Sequence, residues 1–187
     1  MNRFTTRQLV LDAMLCAMCA VLGWLALDFG NVKLTFESVP VLLGGLLFGP
    51  LDGMAVGGVG TLLYQLLRYG VSATTALWVL PYALCGLCAG AYAKRRGFVL
   101  TRRQTAFSVG LCEMLITALN TFTLYLDSKI YGYYFPGIIL GALALRLALW
   151  AARTAVYSLA LPPLLVSMRR LYVPPQNSLD GTKDSEP

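Results

Sequence analysis

Six apolar stretches with very few charged residues inside them are the feature that most limits how this chain can fold. They are predicted as helical spans at residues 9–27, 39–47, 54–67, 76–93, 105–126 and 138–166, the last interrupted by Pro162 and Pro163. A helix needs about 20 apolar residues to cross a bilayer, and its backbone groups are then paired within the segment. Only 13% of the residues are charged, against about a quarter in soluble domains. The sequence therefore predicts an all-α membrane protein with six transmembrane helices.

The basic residues lie mainly between alternate spans, and this distribution predicts the orientation. With the N-terminus in the cytoplasm, ten lysines and arginines fall on the inner side and three on the outer side. The inner ones are Arg3, Arg7, Lys94, Arg95, Arg96, Arg102, Arg103, Arg169, Arg170 and Lys183, and the outer ones are Lys33, Arg68 and Lys129. Since cytoplasmic loops carry the excess of Lys and Arg, both termini are predicted to be cytoplasmic. Residues 1–170 form the predicted six-helix domain, and the polar residues 171–187 a disordered cytoplasmic tail.

The second and third spans are rich in glycine and are joined by a tight turn around Gly49 and Pro50. Glycine costs about 1 kcal/mol relative to alanine inside a soluble helix, but in a membrane it lets helix backbones approach closely. Polar residues collect at one end of this pair: Lys33, Thr35, Glu37, Ser38, Gln65, Arg68 and Tyr69. A tightly packed hairpin with a polar outer end predicts a cavity that opens to the outside.

Two arginines lie inside the last predicted span, where a charge is costly unless it faces a cavity or a partner. At 1.5 Å per residue, Arg153 lies about 10 Å deeper than Arg146, at the depth expected for Glu113. We predict a structural ion pair between Arg153 and Glu113, with a direct functional role of Arg153 as the alternative. No acidic residue within a span matches the depth of Arg146, so it is predicted to meet an anionic ligand. Pairing with Asp127 is its alternative.

Several kinds of chemistry find no support in the sequence. Histidine is absent, which removes the commonest metal ligand and proton shuttle, and there is no Walker A or HExxH motif. Two CxxC pairs, Cys16 with Cys19 and Cys85 with Cys88, have a spacing that zinc sites use. They fall in the middle of predicted spans, however, and cysteine also packs as a small apolar residue. We therefore predict packing rather than metal binding, no cofactor and no catalytic residues.

Aromatic and polar residues near the outer side are the candidates for a binding site. An interfacial belt accounts for part of the aromatic residues, whereas a flat aromatic ligand needs some rings turned inward beside polar groups. Asn120 lies within a span, where its amide needs a partner. The predicted ligand-binding residues are Lys33, Phe36, Gln65, Arg68, Tyr69, Trp78, Asn120, Tyr131 and Arg146.

The first span carries small residues at helical spacing, Ala13 and Ala17 with Ala20 nearby. Such small-xxx-small patterns mark helix contacts. The pattern is compatible with packing against another span of this chain or with an exposed dock for the helix of a partner.

Several of these segments together resemble a known family. The run VKLTFESVPVLLGGLLFGPLDGMAVGGVGTLLYQLL at residues 32–67 resembles the second and third spans of the substrate-binding (S) components of energy-coupling-factor (ECF) vitamin transporters. The Ala13 and Ala17 face resembles the alanine motif by which those proteins dock on their coupling subunit. The segment LNTFTLY at residues 119–125, followed by Ala144-Leu145-Arg146, resembles the folate-specific members.

The resemblance implies a bacterial multi-pass protein of the cell membrane whose residues 1–170 bind one vitamin from outside. It implies as partners a transmembrane coupling subunit, two ATPase subunits and the lipid bilayer, with docking through Ala13, Ala17 and Ala20 and no nucleic acid. An anionic aromatic vitamin, folate first, would suit the arginines and the rings. Pantothenate, pyridoxine or a queuosine precursor are alternative ligands. A stand-alone small membrane transporter is an alternative function, and an intramembrane enzyme finds no motif to support it.

Overall fold

The computed structural model describes residues 6–29 and 32–172. This part of the chain forms six α-helices and one two-stranded antiparallel hairpin. The helices are α1 (Thr6–Trp24), α2 (Ser38–Phe48), α3 (Pro50–Tyr69), α4 (Thr75–Arg95), α5 (Arg102–Ile130) and α6 (Gly137–Tyr172), and the strands are β1 (Leu27–Phe29) and β2 (Val32–Leu34). The predicted all-α membrane fold with six helices is confirmed. The predicted disordered tail lies, from residue 173 onward, outside the described residues.

Four helices are long and apolar enough to cross a membrane: α1, α4, α5 and the Leu143–Arg169 part of α6. Helix α2 is different, since its 11 residues extend over only about 16 Å. Its first residue, Ser38, lies beside Tyr157 in the middle of α6, with the two hydroxyl oxygens 3.5 Å apart. Helix α2 therefore leaves one end of the bundle unfilled. Its neighbour α3 has 20 residues, longer than the predicted span 54–67, so only one member of the predicted hairpin is short.

The glycines of α2 and α3 bring helix backbones into direct contact with α4. A Cβ atom built at Gly53 would lie 2.5 Å from the Gly86 carbonyl oxygen and 2.6 Å from the Gly45 Cα. One built at Gly57 would overlap with the Tyr82 carbonyl group. Only glycine allows this approach, and the predicted close packing of the glycine-rich hairpin is confirmed.

The directions of the helices determine which loops share an end of the bundle. Helices α1 and α3 run parallel, whereas α3 with α4 and α5 with α6 run antiparallel. The contacts that show this are Gln8–Asp52 and Cys19–Thr61, Gly53–Gly86 and Gly57–Tyr82, and Glu113–Arg153 and Thr121–Arg146. The loops with Lys94 to Arg96 and the start of α5 therefore lie at one end, and the hairpin and the α5–α6 loop lie at the other.

Two expectations about helix ends need correction. The first span ends at Trp24 rather than at residue 27, because Leu27 pairs with Leu34 in the β-hairpin. Helix α6 continues through Pro162 and Pro163 instead of being interrupted there. Helices within a bilayer tolerate proline because neighbouring groups and local adjustments satisfy the freed backbone carbonyls.

The five cysteines are free thiols, of which Cys19, Cys85 and Cys112 are buried between helices and Cys88 is exposed. Cys19 and Cys85 are fully buried in the apolar core. The Cys112 Sγ lies 3.8 Å from the Cys85 carbonyl oxygen where α5 meets α4. Among the described residues, no group of three or more His, Cys, Asp or Glu side chains comes together in a way that could hold a metal ion.

Candidate ligand-binding cavity

A cavity of about 440 Å³ occupies the end of the bundle that α2 leaves unfilled. Its walls come from α3, α4, α5 and α6, and from the segment that precedes α2. The lining residues are Thr35, Glu37, Tyr64, Gln65, Tyr69, Ser72, Thr74, Trp78, Tyr82, Thr117, Asn120, Leu124, Asp127, Tyr131, Tyr133, Arg146, Leu149 and Arg153. The cavity thus lies at the end opposite to the basic loops around Lys94 and Arg102.

The cavity wall contains six of the nine predicted ligand-binding residues: Gln65, Tyr69, Trp78, Asn120, Tyr131 and Arg146. Their spacing in sequence is wide, and the fold brings them together from α3, α4, α5, α6 and the α5–α6 loop. That they bind a ligand stays a prediction.

Two other predicted residues lie outside the wall. Phe36 is 37% exposed, and its ring packs 6.3 Å from the ring of Tyr157. The Arg68 guanidinium donates a hydrogen bond to the Trp24 carbonyl oxygen at 3.0 Å, because the carbonyl groups at the end of a helix are left unpaired by the helix itself. Lys33 lies on β2, and its side chain is outside what the structure describes.

The deep part of the cavity is polar and charged. Thr35 Oγ1 donates to Glu37 Oε1 at 3.2 Å, and the Glu37 side chain is only 3% exposed. The other oxygen, Glu37 Oε2, is buried and has no hydrogen-bond partner among the described residues. This oxygen lies against α1, since a Cβ atom built at Gly23 would be only 2.7 Å from it.

Arg153 lines the same deep region and pairs with a second carboxylate behind the wall. Its Nε lies 3.3 Å from Glu113 Oε2, which confirms the predicted ion pair. Its Nη2 also lies 3.4 Å from Thr117 Oγ1, which accepts a hydrogen bond. Glu113 is fully buried, so the two charges compensate each other in a region that excludes water.

Arg146 lies two helical turns closer to the mouth. It is 9% exposed, and its Nη1 donates to Thr121 Oγ1 at 3.0 Å. Asp127, the predicted alternative partner, accepts hydrogen bonds from Thr74 Oγ1 at 2.5 Å and from the Tyr133 hydroxyl.

The Tyr133 hydroxyl belongs to the loop between α5 and α6. Burial and the adjacent Asp127 carboxylate raise the pKa of Tyr133 to about 12, because both disfavour the phenolate. Tyr133 is therefore protonated at neutral pH, and it holds the loop against the end of α5 as a hydrogen-bond donor.

Aromatic rings surround the mouth of the cavity. Tyr64 and Tyr69 of α3 meet edge to face, with ring centroids 6.0 Å apart and hydroxyl oxygens 3.4 Å apart. Trp78 of α4 and Tyr131 of the α5–α6 loop also line the wall. Rings on several sides with polar groups between them form a site suited to a flat ligand.

Helical spacing would have revealed several lining residues that the sequence analysis did not select. Thr117, Asn120, Leu124 and Asp127 follow one another at intervals of three, four and three residues, and Arg146, Leu149 and Arg153 at three and four. Such intervals place side chains on one face of a helix. The wall residues Ser72 and Thr74, in the short α3–α4 connection, have no comparable signal.

The predicted docking residues lie on α1, away from the cavity. Ala13 and Ala17 are exposed, whereas Ala20 is half-buried. Packing against another span of this chain, the alternative for this pattern, therefore does not apply to Ala13 and Ala17.

Comparison with protein families matches residues 7–167 to the ECF transporter substrate-specific component. Among solved structures, a crystal structure of FolT bound with folic acid is similar, with a TM-score of 0.66 and 22% sequence identity. The match covers 87% of this chain and 95% of that one. No curated protein sequence matches this chain. At this identity, the structural likeness shows a shared fold.

Proposed function

Because this chain belongs to the family of ECF transporter substrate-specific components, we propose that its cavity captures an anionic aromatic vitamin, with folate as the first candidate. Members of this family are multi-pass membrane proteins that bind a substrate and associate with an ECF module, and they are not enzymes. The proposal concerns the vitamin, its contacts and the residues that meet the module.

The position of Arg146 in the cavity wall is the main observation that supports an anionic ligand. Its guanidinium lies in the cavity wall, 91% buried within a membrane-spanning helix. Charges at such depth mark substrate pathways and ligand contacts. Arg153 faces the buried carboxylate of Glu113, whereas Arg146 donates a hydrogen bond to the Thr121 hydroxyl in the wall. An arginine is well suited to bind a carboxylate through two parallel hydrogen bonds.

The Glu37 carboxyl group in the wall favours a heterocyclic ligand that carries hydrogen-bond donors. Folate has a flat pterin ring with adjacent N–H groups at one end and glutamate carboxylates at the other. The Glu37 carboxyl group in the wall would accept from the N–H groups, Asn120 is within the same wall, and Arg146 would meet a carboxylate. The similar protein FolT was crystallised with folic acid, which agrees with this choice but does not decide it.

The size of the cavity also supports a vitamin. Its volume of about 440 Å³ falls within the roughly 300–1,000 Å³ of small-molecule sites. The rings of Tyr64, Tyr69 and Trp78 supply the apolar surface that such a ligand needs to stack against.

Thermal unfolding of the purified protein with a vitamin panel tests the proposal. Folate, pantothenate, pyridoxine and a queuosine precursor are each added at the same concentration, and folate is expected to raise the unfolding temperature most. A ligand at 100 times its Kd stabilises the protein by about 2.7 kcal/mol. The absence of a shift with every compound would refute the vitamin proposal, and a shift with pantothenate alone would refute the aromatic class.

Titration calorimetry of variants then tests the assigned contact. Arg146→Gln is expected to weaken folate binding about 10- to 100-fold, since hydrogen bonds to charged groups contribute about 1.5–3 kcal/mol. Lys129→Gln removes an exposed cation stacked on Tyr134 outside the cavity wall and is the matched control. Arg68→Gln tests the second arginine that was predicted from the sequence to bind the ligand. Loss of binding in Arg68→Gln but not in Arg146→Gln would contradict the assignment.

Copurification separates the proposal from the alternative of a stand-alone transporter. A tagged chain expressed in its native host is expected to retain a transmembrane coupling subunit and ATPase subunits. Vitamin uptake by this chain alone in liposomes, without ATP or these subunits, would favour the alternative.

A further inference from the structure

A second cavity, of about 350 Å³, lies at the opposite end of the molecule between the start of α5 and the end of α6. Arg102 comes from α5 and Arg169 from α6, and Ser167 adds a hydroxyl group. Leu165 and Pro162 form part of its apolar wall. We infer that this cavity binds the phosphate headgroup of an anionic phospholipid. This inference does not rest on the identity of the vitamin.

The two arginines give the cavity an uncompensated positive charge. No aspartate or glutamate lines it. Within residues 6–29 and 32–172, neither guanidinium has a hydrogen bond or an ion pair, in contrast to Arg153 with its partner Glu113. Arg169 is also half-buried. A cation that is partly removed from water without a counter-ion favours binding of an anion.

The start of α5 adds a second reason to expect an anion. Helix N-termini carry partial positive charge and favour acidic residues in the first turn. Helix α5 has no acidic residue there and begins instead with Arg102 and Arg103. Thr101 and Gln104 form a capping box that satisfies two backbone N–H groups, but it adds no negative charge. A bound phosphate would offset both the arginines and the helix dipole.

The position of the cavity points to a lipid rather than to a soluble anion. Arg102 lies three residues before the apolar stretch 105–126, and Arg169 lies three residues after the apolar stretch 138–166. Because basic residues flank the ends of membrane spans, we place both guanidinium groups at the level of the lipid headgroups. About one helical turn deeper, Val166 is 53% exposed and Pro162 continues the apolar wall. This arrangement of an anion site above an apolar face matches a phosphate with its acyl chains.

The charge distribution assigns this end to the cytoplasmic leaflet, where basic pockets between transmembrane helices bind anionic headgroups. A phospholipid in this cavity would contact α5 and α6 together. Since the same two helices carry Asn120, Arg146 and Arg153 of the first cavity, it would also brace the helix pair that forms much of that wall.

Native mass spectrometry of the purified full chain tests the inference. The protein is titrated with phosphatidylglycerol or phosphatidylcholine of identical acyl chains, and tighter binding of phosphatidylglycerol is expected. Arg102→Gln combined with Arg169→Gln should weaken phosphatidylglycerol binding about thirtyfold, since each basic residue near an anionic surface contributes about 1 kcal/mol and a factor of ten corresponds to about 1.4 kcal/mol. Binding of phosphatidylcholine should stay the same.

Two controls separate a specific site from general charge attraction. Lys94→Gln combined with Arg95→Gln removes the same charge at the same end of the bundle, outside the cavity wall, and should leave binding unchanged. Ser167→Trp keeps both arginines but fills the cavity at an exposed position, and it should weaken binding. An equal loss in both charge variants, or no effect of Ser167→Trp, would overturn the inference.

Three further outcomes would assign the cavity to a different occupant and also overturn the inference. Inorganic phosphate that displaces the lipid at equal concentration would indicate a soluble anion. Phosphatidylglycerol binding that appears only after truncation behind Tyr172 would indicate the chain's own acidic tail. Loss of the coupling subunit from the arginine variant, with lipid binding intact, would indicate a protein partner.

Discussion

Arg146 and Arg153 lie two turns apart on the same face of α6, yet their surroundings differ. Arg153 is compensated by Glu113, which is fully buried behind the wall. Arg146 lies nearer the mouth, where a carboxylate of a ligand has access. We therefore propose that Arg153 has a structural role and that Arg146 binds the ligand, because only Arg153 faces a carboxylate of α5.

The Arg153–Glu113 pair predicts a specific pattern of stability. Glu113→Gln is expected to lower the free energy of unfolding by about 3 kcal/mol, because it leaves a buried charge without its counter-ion. Glu113→Gln combined with Arg153→Met removes both charges and should recover most of this loss. Thermal unfolding in detergent measures both variants. If the single and double variants were equally destabilised, packing rather than charge would explain the effect.

The position of Glu37 in the cavity wall leads to a prediction about the orientation of folate in the cavity. Glu37→Gln is expected to weaken binding of folate about 10- to 100-fold, because it replaces a carboxyl acceptor in the cavity wall by an amide. Asp127→Asn is the matched control, since that carboxylate accepts hydrogen bonds from Thr74 and Tyr133 at the mouth. Calorimetry compares the two variants. A larger loss in Asp127→Asn than in Glu37→Gln would reverse the proposed orientation.

Of the ten charged or aromatic residues in the wall, four were predicted from the sequence to bind the ligand, namely Tyr69, Trp78, Tyr131 and Arg146. The direction of every side chain could not be predicted. Phe36 stands between Thr35 and Glu37, which both line the cavity. The Phe36 carbonyl oxygen accepts a hydrogen bond from the Val39 N–H in the turn that leads into α2, and the Phe36 ring packs against Tyr157 instead of lining the wall. The contact of Arg68 with Trp24 depends on where α1 ends, which residue types alone do not show. Glu37 was visible in the sequence as part of the polar end, but its burial becomes apparent only in the fold.

At the scale of elements, the short α2 leaves space for the cavity. The glycines of α2 and α3 determine how closely these helices pack against α4. The turn between α2 and α3 consists of Gly49 alone, at φ 125°, followed by Pro50 as the first helical residue. The sequence predicted this hairpin from its glycines and its turn. It did not predict that α3 would be nearly twice as long as α2, because Pro50, Asp52 and Gly53 are typical turn residues, whereas Pro50 in fact begins the helix.

The packing of α3 on α4 predicts opposite effects at adjacent glycines. Gly57→Ala is expected to lower the free energy of unfolding by about 1–3 kcal/mol, because its Cβ would overlap with the Tyr82 carbonyl group and overpacking forces the backbones apart. Gly58→Ala meets only the Ala83 Cβ at 3.8 Å, so stability should be unchanged or rise by up to about 1 kcal/mol. Thermal unfolding of the two variants checks this. Equal destabilisation would show that helix contact is not the reason for glycine at residue 57.

At the scale of the whole molecule, the proposed binding cavity and the proposed docking surface lie in different places. The cavity is formed at one end by α3 to α6, whereas the exposed alanines lie along α1 toward the other end. Helix α1 adds no side chain to the cavity wall among the described residues. Ligand binding and partner association should therefore be separable by mutation.

This separation gives the last prediction. Ala13→Leu combined with Ala17→Leu is expected to abolish copurification of the coupling subunit, because larger side chains prevent the close helix approach that small residues allow. Folate affinity should remain within about twofold, well below the tenfold change that about 1.4 kcal/mol would produce. Ala118→Leu is the matched control, on an exposed position of α5, and should retain the coupling subunit. Loss of vitamin binding in the α1 variant would show that α1 supports the cavity after all, and an intact complex would place the docking surface elsewhere on the bundle.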